Sequence, residues 1–262
     1  MKMKNLLTLL VALTFTFGLS AQTENLIQQA DEAYMNDKFE EALELYLRVA
    51  DENGSSSQLY YNIGNTYYRM GELGKSILYY RRALKLDPTN QDARANLTFV
   101  EEKTIDRQDE NKTLSQKVAE SVIFSMTPNG WSVTALILFV VLLGCIGAYV
   151  LIDDVKFRKL SFFGGIVVLV LDVLVLIVAF KSSALVRDNR EAIVIEPMVQ
   201  LSTVPRLPKD KSEQAFTLHE GAHLEIIDSL SVPSDSLNPK WLEIKVDDVH
   251  RAWLPAKTVE RI

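Results

Sequence analysis

Two long apolar runs, Trp131 to Ile152 and Ser161 to Phe180, constrain this chain more than any other feature. They read WSVTALILFVVLLGCIGAYVLI and SFFGGIVVLVLDVLVLIVAF. A helix rises about 1.5 Å per residue, so about twenty apolar residues span a hydrocarbon layer roughly 30 Å thick. Each run is long enough, and the second holds a single ionisable residue, Asp172. The charged link at residues 153–160, DDVKFRKL, leaves room only for a turn between antiparallel helices. The pattern predicts a transmembrane hairpin with helices at 131–152 and 161–180. The parts before and after it then lie on one side of the bilayer.

The N-terminus sets the orientation. Lys2 and Lys4 precede the apolar stretch Leu6 to Leu19, and Ser20-Ala21 offers a small residue before a cut at Gln22. This is the pattern of a secretory signal over residues 1–21, and an uncleaved segment would act as a short anchor of the same orientation. Basic residues are balanced, with Lys156, Arg158 and Lys159 in the link against Lys117, Lys181, Arg187 and Arg190 at the other ends. The signal therefore decides: link in the cytoplasm, both flanking parts outside it. Hydrophobic residues make up 48% of the 262, and their excess sits in the signal and hairpin, so the flanking parts have ordinary soluble composition. A net charge of −6 speaks against a nucleic-acid partner, which needs clustered Lys and Arg. The lone Cys145 excludes an intrachain disulfide and a cysteine-based metal site, and reads as an inert small apolar residue.

The first flanking part, residues 22–112, is a helical repeat. Residues 57–90 read SQLYYNIGNTYYRMGELGKSILYYRRALKLDPTN, with landmarks Tyr60, Ile63, Gly64, Tyr67, Gly71, Ser76, Tyr80, Ala83 and Pro88. This unit closely resembles the tetratricopeptide repeat, departing mainly at Ser76, where alanine is usual. Gly64 and Ala83 are small where paired helices approach, and Tyr60, Ile63, Tyr67, Leu73, Ile77 and Tyr80 supply bulk at helical spacing. Pro88 ends the second helix. Residues 23–56 fall in the same frame, with Ala30, Phe39, Ala42 and Tyr46 at the positions of Gly64, Leu73, Ser76 and Tyr80. Asp37 stands where Gly71 does, in the turn between helices, which Asp tolerates. A capping helix follows at 91–104 and covers the last apolar face. Residues 113–130 connect to the membrane through an amphipathic stretch marked by Leu114, Val118, Val122 and Phe124.

The resemblance implies a concave groove lined by the first helix of each repeat. In this frame the lining is Gln28, Asp31 and Met35, then Tyr61, Asn62, Asn65, Tyr68 and Arg69. Asparagine offers both donor and acceptor, which suits an extended peptide backbone or a terminal carboxylate. The plainer reading leaves Asn62 and Asn65 as parts of the repeat pattern and Tyr61 and Tyr68 as packing between neighbours.

After a linker at 181–190, residues 191–262 switch to a period of two. Five short strands are expected, around 192–202, 216–218, 223–228, 241–246 and 252–262. The Phe216-x-Leu218-x-x-Gly221 and Trp241-x-x-Ile244 patterns and Ala252-Trp253-Leu254-Pro255-Ala256 resemble a bacterial SH3-like barrel, with Ala252 where glycine is usual. Trp241 and Trp253 either line a ligand groove or close the barrel core. A cell-wall peptide is a ligand that the resemblance brings in.

His219-Glu220-Gly221-Ala222-His223 matches the H-E-x-x-H zinc hydrolase signature letter for letter. The signature works only on a helix, where both histidines share one face. On a strand they stand roughly 13 Å apart, too far to share a metal, and Gly221 interrupts a helix. The match is therefore read as coincidence, and no catalytic residue, metal or cofactor is expected. Asp172 is costly at mid-bilayer and is expected to be protonated, or to bond another protein's membrane helix, or to be tolerated.

The order of parts resembles the BatE family of the Bacteroides aerotolerance operon over nearly the whole chain. That resemblance implies a bacterial inner-membrane protein, both soluble modules in the periplasm, working beside von Willebrand A-domain membrane proteins and indirectly a MoxR-type ATPase. The expectation is a multidomain membrane protein: a tetratricopeptide solenoid, two transmembrane helices and an all-β SH3-like barrel. Its role would be a non-catalytic, protein-binding scaffold in oxygen or stress tolerance. A cell-wall-tethering module and a zinc hydrolase on His219 and His223 are the alternatives.

Overall fold

The computed structural model describes residues 23–106, 113–233, 237–245 and 251–262; the expected signal segment and His250 lie outside the described residues. Five helices open the chain: α1 (residues 23–35), α2 (Phe39–Asn53), α3 (Ser57–Met70), α4 (Leu73–Leu86) and α5 (Gln91–Glu101). Local chemistry sets their ends. The Ser56 hydroxyl accepts the Leu59 N–H at the start of α3, and Gly71 closes that helix at φ 84°. Asp37 takes the same left-handed position between α1 and α2 at φ 60°, a conformation a short polar side chain tolerates.

The helical core runs through Ala30, Ala42 and Tyr46, then Ile63, Ile77, Tyr80 and Ala83, then Ala93, Leu97 and Val100. Gly64 is required by contact: a Cβ there would lie 2.8 Å from two ring carbons of Tyr80. Ser76, the departure from the usual alanine, is buried and donates its hydroxyl to the Gly64 carbonyl at 2.9 Å. The bond satisfies the polar group that burial would otherwise leave stranded.

The C-terminal part is an antiparallel sheet. Its strands are β1 (Glu191–Val194), β2 (Met198–Ser202), β3 (Gln214–His219), β4 (His223–Ser231), β5 (Lys240–Lys245), β6 (Arg251–Pro255) and β7 (Val259–Arg261). The order is β3-β2-β6-β5-β4-β1-β7. Thirteen side chains from Ala192 to Val259, among them Leu201, Leu224, Ile244 and Leu254, form its core. Two expectations are corrected here. The described residues give seven strands rather than five: 192–202 divides around Pro197 into β1 and β2, and β7, three residues long after a single 3-10 turn, Ala256–Thr258, is too short for alternation to register. The sheet is also not closed into a barrel, since β3 and β7 are its two ends and do not pair.

Between these parts in sequence lie α6 (Leu114–Ile123), α7 (Pro128–Leu151) and α8 (Val155–Arg187). The last two are long and apolar enough to cross a membrane. Both outrun the apolar runs that announced them. Pro128 sits in the first turn of α7 behind the Thr127 cap. The Asp154 carboxylate accepts the N–H groups of Lys156 and Phe157, so α8 begins at Val155 and residues 155–160, expected in the link, are helical. The connection is Ile152, Asp153 and Asp154. Where α7 and α8 meet, Gly165 lets the chains approach: a Cβ there would sit 3.4 Å from the Cys145 Cβ.

The chain divides into two compact units. The described residues up to Ala83, with those of Gln91–Gln108 and Arg190–Ile262, form one, so the repeat helices and the sheet share it. Leu84–Asn90 and Asp109–Asn189 form the other, which holds α6, α7 and α8.

Candidate protein-binding site

Several of the residues expected in the repeat groove are tied to neighbouring helices and turns by side-chain bonds. Asp31 on α1 accepts the Tyr46 hydroxyl at 2.5 Å. Asn65 on α3 accepts the Tyr80 hydroxyl at 2.6 Å and the Asn96 amide at 2.9 Å, and Asn96 also reaches the Tyr61 hydroxyl at 3.4 Å. Gln58 donates to Asn62 at 3.1 Å. Arg69 pairs with Asp37 at 2.7 Å and stacks over the Phe39 ring at 4.5 Å. Gln28 and Met35 are exposed on α1, and Met35 keeps 79% of its surface in solvent.

Three residues of α5 and its following turn extend this row and were not anticipated. Asn96 has just been placed. Phe99 is half exposed and meets Tyr68 edge-on at 5.8 Å. Lys103 lies 4.3 Å from the Phe99 ring centre and donates to the Tyr68 hydroxyl at 2.7 Å. The result is a surface with two aromatic-stacked cations, Arg69 and Lys103, flanking amides and tyrosines. Groups of these kinds can hydrogen-bond carbonyl and carboxylate oxygens and pack apolar side chains. Burial holds the Tyr80 phenol beneath it neutral, pushed up to about 12 by desolvation; the buried Tyr79, which packs against Tyr60 and Tyr67, is likewise pushed up to about 12.

The His219–His223 segment is a strand end, a turn and a strand start, not a helix. Gly221 sits in the turn at φ 85°. The two histidines take different partners: His219 Nδ1 faces the Asp106 carboxylate at 3.2 Å, and His223 Nε2 lies 3.5 Å from Glu191. Among the described residues no group of three or more His, Cys, Asp or Glu is arranged to hold a metal.

The segment instead joins the sheet to the repeat. Glu220 accepts the Gly74 N–H at 2.9 Å in the first turn of α4, where the helix dipole favours an anion. Gly221 lies against Ile77 and Thr104, with 2.7 Å to each from the place of a Cβ. The His219 backbone N–H donates to Asp106 at 2.5 Å, at the free edge of β3. At the other edge Arg82 pairs with Glu260 at 2.8 Å and donates to the Arg261 carbonyl at 2.6 Å. Both unpaired ends of the sheet are thus met by the repeat, which is how an open sheet avoids bare edges.

Trp241 and Trp253 project from one face of β5 and β6, opposite to Leu242, Ile244 and Leu254, because Glu243 pairs with Trp253 and side chains alternate. Trp241 is wholly buried, as the core reading has it, and Trp253 is partly buried. Asp172 is buried along α8 with Gly165, Ala179 and Ser182, and its Oδ1 has no hydrogen-bond partner among the described residues.

Residues 57–90, spanning α3 and α4, match the tetratricopeptide repeat family model. No curated protein matches the chain. Repeats of this family are non-catalytic and bind other proteins, which suggests an interaction module here.

Proposed function

We propose that this chain is a membrane-anchored scaffold that presents a repeat groove to partner proteins outside the cytoplasm. The observation that carries the reading is one of topology. The repeat and the sheet share a compact unit, although two helices long and apolar enough to span a bilayer separate them in sequence. A hairpin that enters and leaves a membrane on one side reconciles the two facts. Oppositely sided modules would be unable to form Glu220 to Gly74 or Arg82 to Glu260.

Within this reading α7 and α8 are the spans and the turn at Ile152–Asp154 is cytoplasmic, as the basic N-terminal segment favours. The order of parts supports membership of the BatE family, with envelope proteins of the von Willebrand A-domain type as partners, a MoxR-type ATPase at one remove, and stress tolerance as the setting. The SH3-like character of the sheet belongs to the same reading. Cell-wall tethering has less support, because Trp241 is closed to a ligand.

The test is crosslinking in native membranes from a photoreactive residue at Tyr68. Capture of a discrete envelope protein, lost in the Arg69→Ala/Lys103→Ala variant at unchanged protein level, is the expected result. No capture, or capture indifferent to that variant, overturns the groove.

A further inference from the structure

The helix α6 carries an apolar stripe that stays largely exposed. Met126, three residues past the end of α6, is 36% exposed, and within the helix Leu114, Val118 and Val122 recur at every fourth position and are 79%, 56% and 44% exposed. On a helix such residues form one face. Gln116, Lys117 and Glu120 lie on the other side. The element is a deliberate helix and not a frayed linker. A reciprocal capping box fixes its start, with Thr113 accepting the Gln116 N–H while the Gln116 side chain accepts the Thr113 N–H at 2.8 Å. Its end is fixed as well, because the indole N–H of Trp131, in the first turn of α7, donates to the Ile123 carbonyl at 3.1 Å.

We propose that α6 lies in the surface of a lipid bilayer, apolar stripe inward, as an interfacial helix ahead of the first span. The inference rests on the reading of α7 and α8 as membrane spans. Continuity of surface selects lipid as the occupant. Four residues, Phe124 to Thr127, separate α6 from α7, whose outward Val133, Leu136 and Ile137 are 56%, 63% and 58% exposed. The stripe therefore runs through Val122 and Met126 into the surface that faces acyl chains. Trp131, whose ring is apolar and whose N–H is bonded, sits at the junction, where amphipathic aromatic rings collect at membrane boundaries. An amphipathic helix with mixed polar residues on its other face suits that boundary.

The experiment uses the full chain with Cys145→Ser, reconstituted in vesicles of phosphatidylcholine and phosphatidylglycerol, with single cysteines carrying an environment-sensitive fluorophore. The sites are Val118→Cys on the stripe, Lys117→Cys on the polar face and Val140→Cys within α7. The expected result is quenching of the 118 label by lipids brominated near the headgroup, little quenching of the 117 label, and quenching of the 140 label by deeply brominated lipids. A 118 label that lipid leaves untouched, while the 140 label is quenched, overturns the interfacial helix and leaves the spans standing. A 140 label that no lipid quenches fails the spans themselves, and the inference with them.

Discussion

Single atoms decide the fit at two glycines. At Gly64 a methyl group would collide with the Tyr80 ring, which is itself 1% exposed and has no room to retreat. Gly64→Ala is expected to destabilise the repeat by about 1–3 kcal/mol, the usual cost of overpacking, read from urea unfolding of the solubilised chain. Gly221 combines contact with conformation, since its φ of 85° strains any L side chain. Tyr79 and Tyr80 give a pH signature of the same packing. Their phenols rise from 10.0 to about 12 because burial disfavours the charged form. A group raised in the fold contributes stability that is whole below pH 10 and is lost as pH climbs through about 12. The thermal midpoint should therefore fall across that window, in step with tyrosinate absorbance; a midpoint flat to pH 12 would show these phenols to be solvated.

Among elements, α4 shows most clearly how repeat and sheet depend on one another. Its first turn leaves N–H groups without helical partners, and Glu220 from the β3–β4 turn supplies one acceptor. Glu220→Ala should cost about 1 kcal/mol, the scale of a lost cap, and should speed amide exchange at the start of α4 before any other helix. Uniform acceleration would argue against a local cap. The groove's elements were legible in part. Adding the 34-residue period to Asn62, Asn65 and Arg69 reaches Asn96, Phe99 and Lys103, so the third row was present in the spacing although α5 read only as a cap. The start of α8 was hidden for a different reason. Charged residues at 155–160 look like a link, yet they do not break a helix once Asp154 has capped it.

For the molecule as a whole, the repeat and the sheet form one unit through a few polar contacts at the sheet's two ends. A double-mutant cycle on Arg82→Ala and Glu260→Ala should return a coupling of about 0.5–1 kcal/mol, reduced by salt because the pair is only partly buried. Zero coupling would mean that this pair contributes nothing to holding the two parts together. The sequence alone determined what local rules govern: the presence of two long apolar helices, the repeat frame with its left-handed Asp37 and Gly71, and the strand context that denies His219 and His223 a helix. Tertiary structure alone decided what lies far apart along the chain. Glu220 and Gly74 are 146 positions apart, His219 and Asp106 are 113, and Arg82 and Arg261 are 179. Periodicity reports which face of an element is buried but never what buries it. That choice belongs to shape and charge across the contact, and here it turned the five strands of an expected closed barrel into an open sheet with its edges held by the repeat.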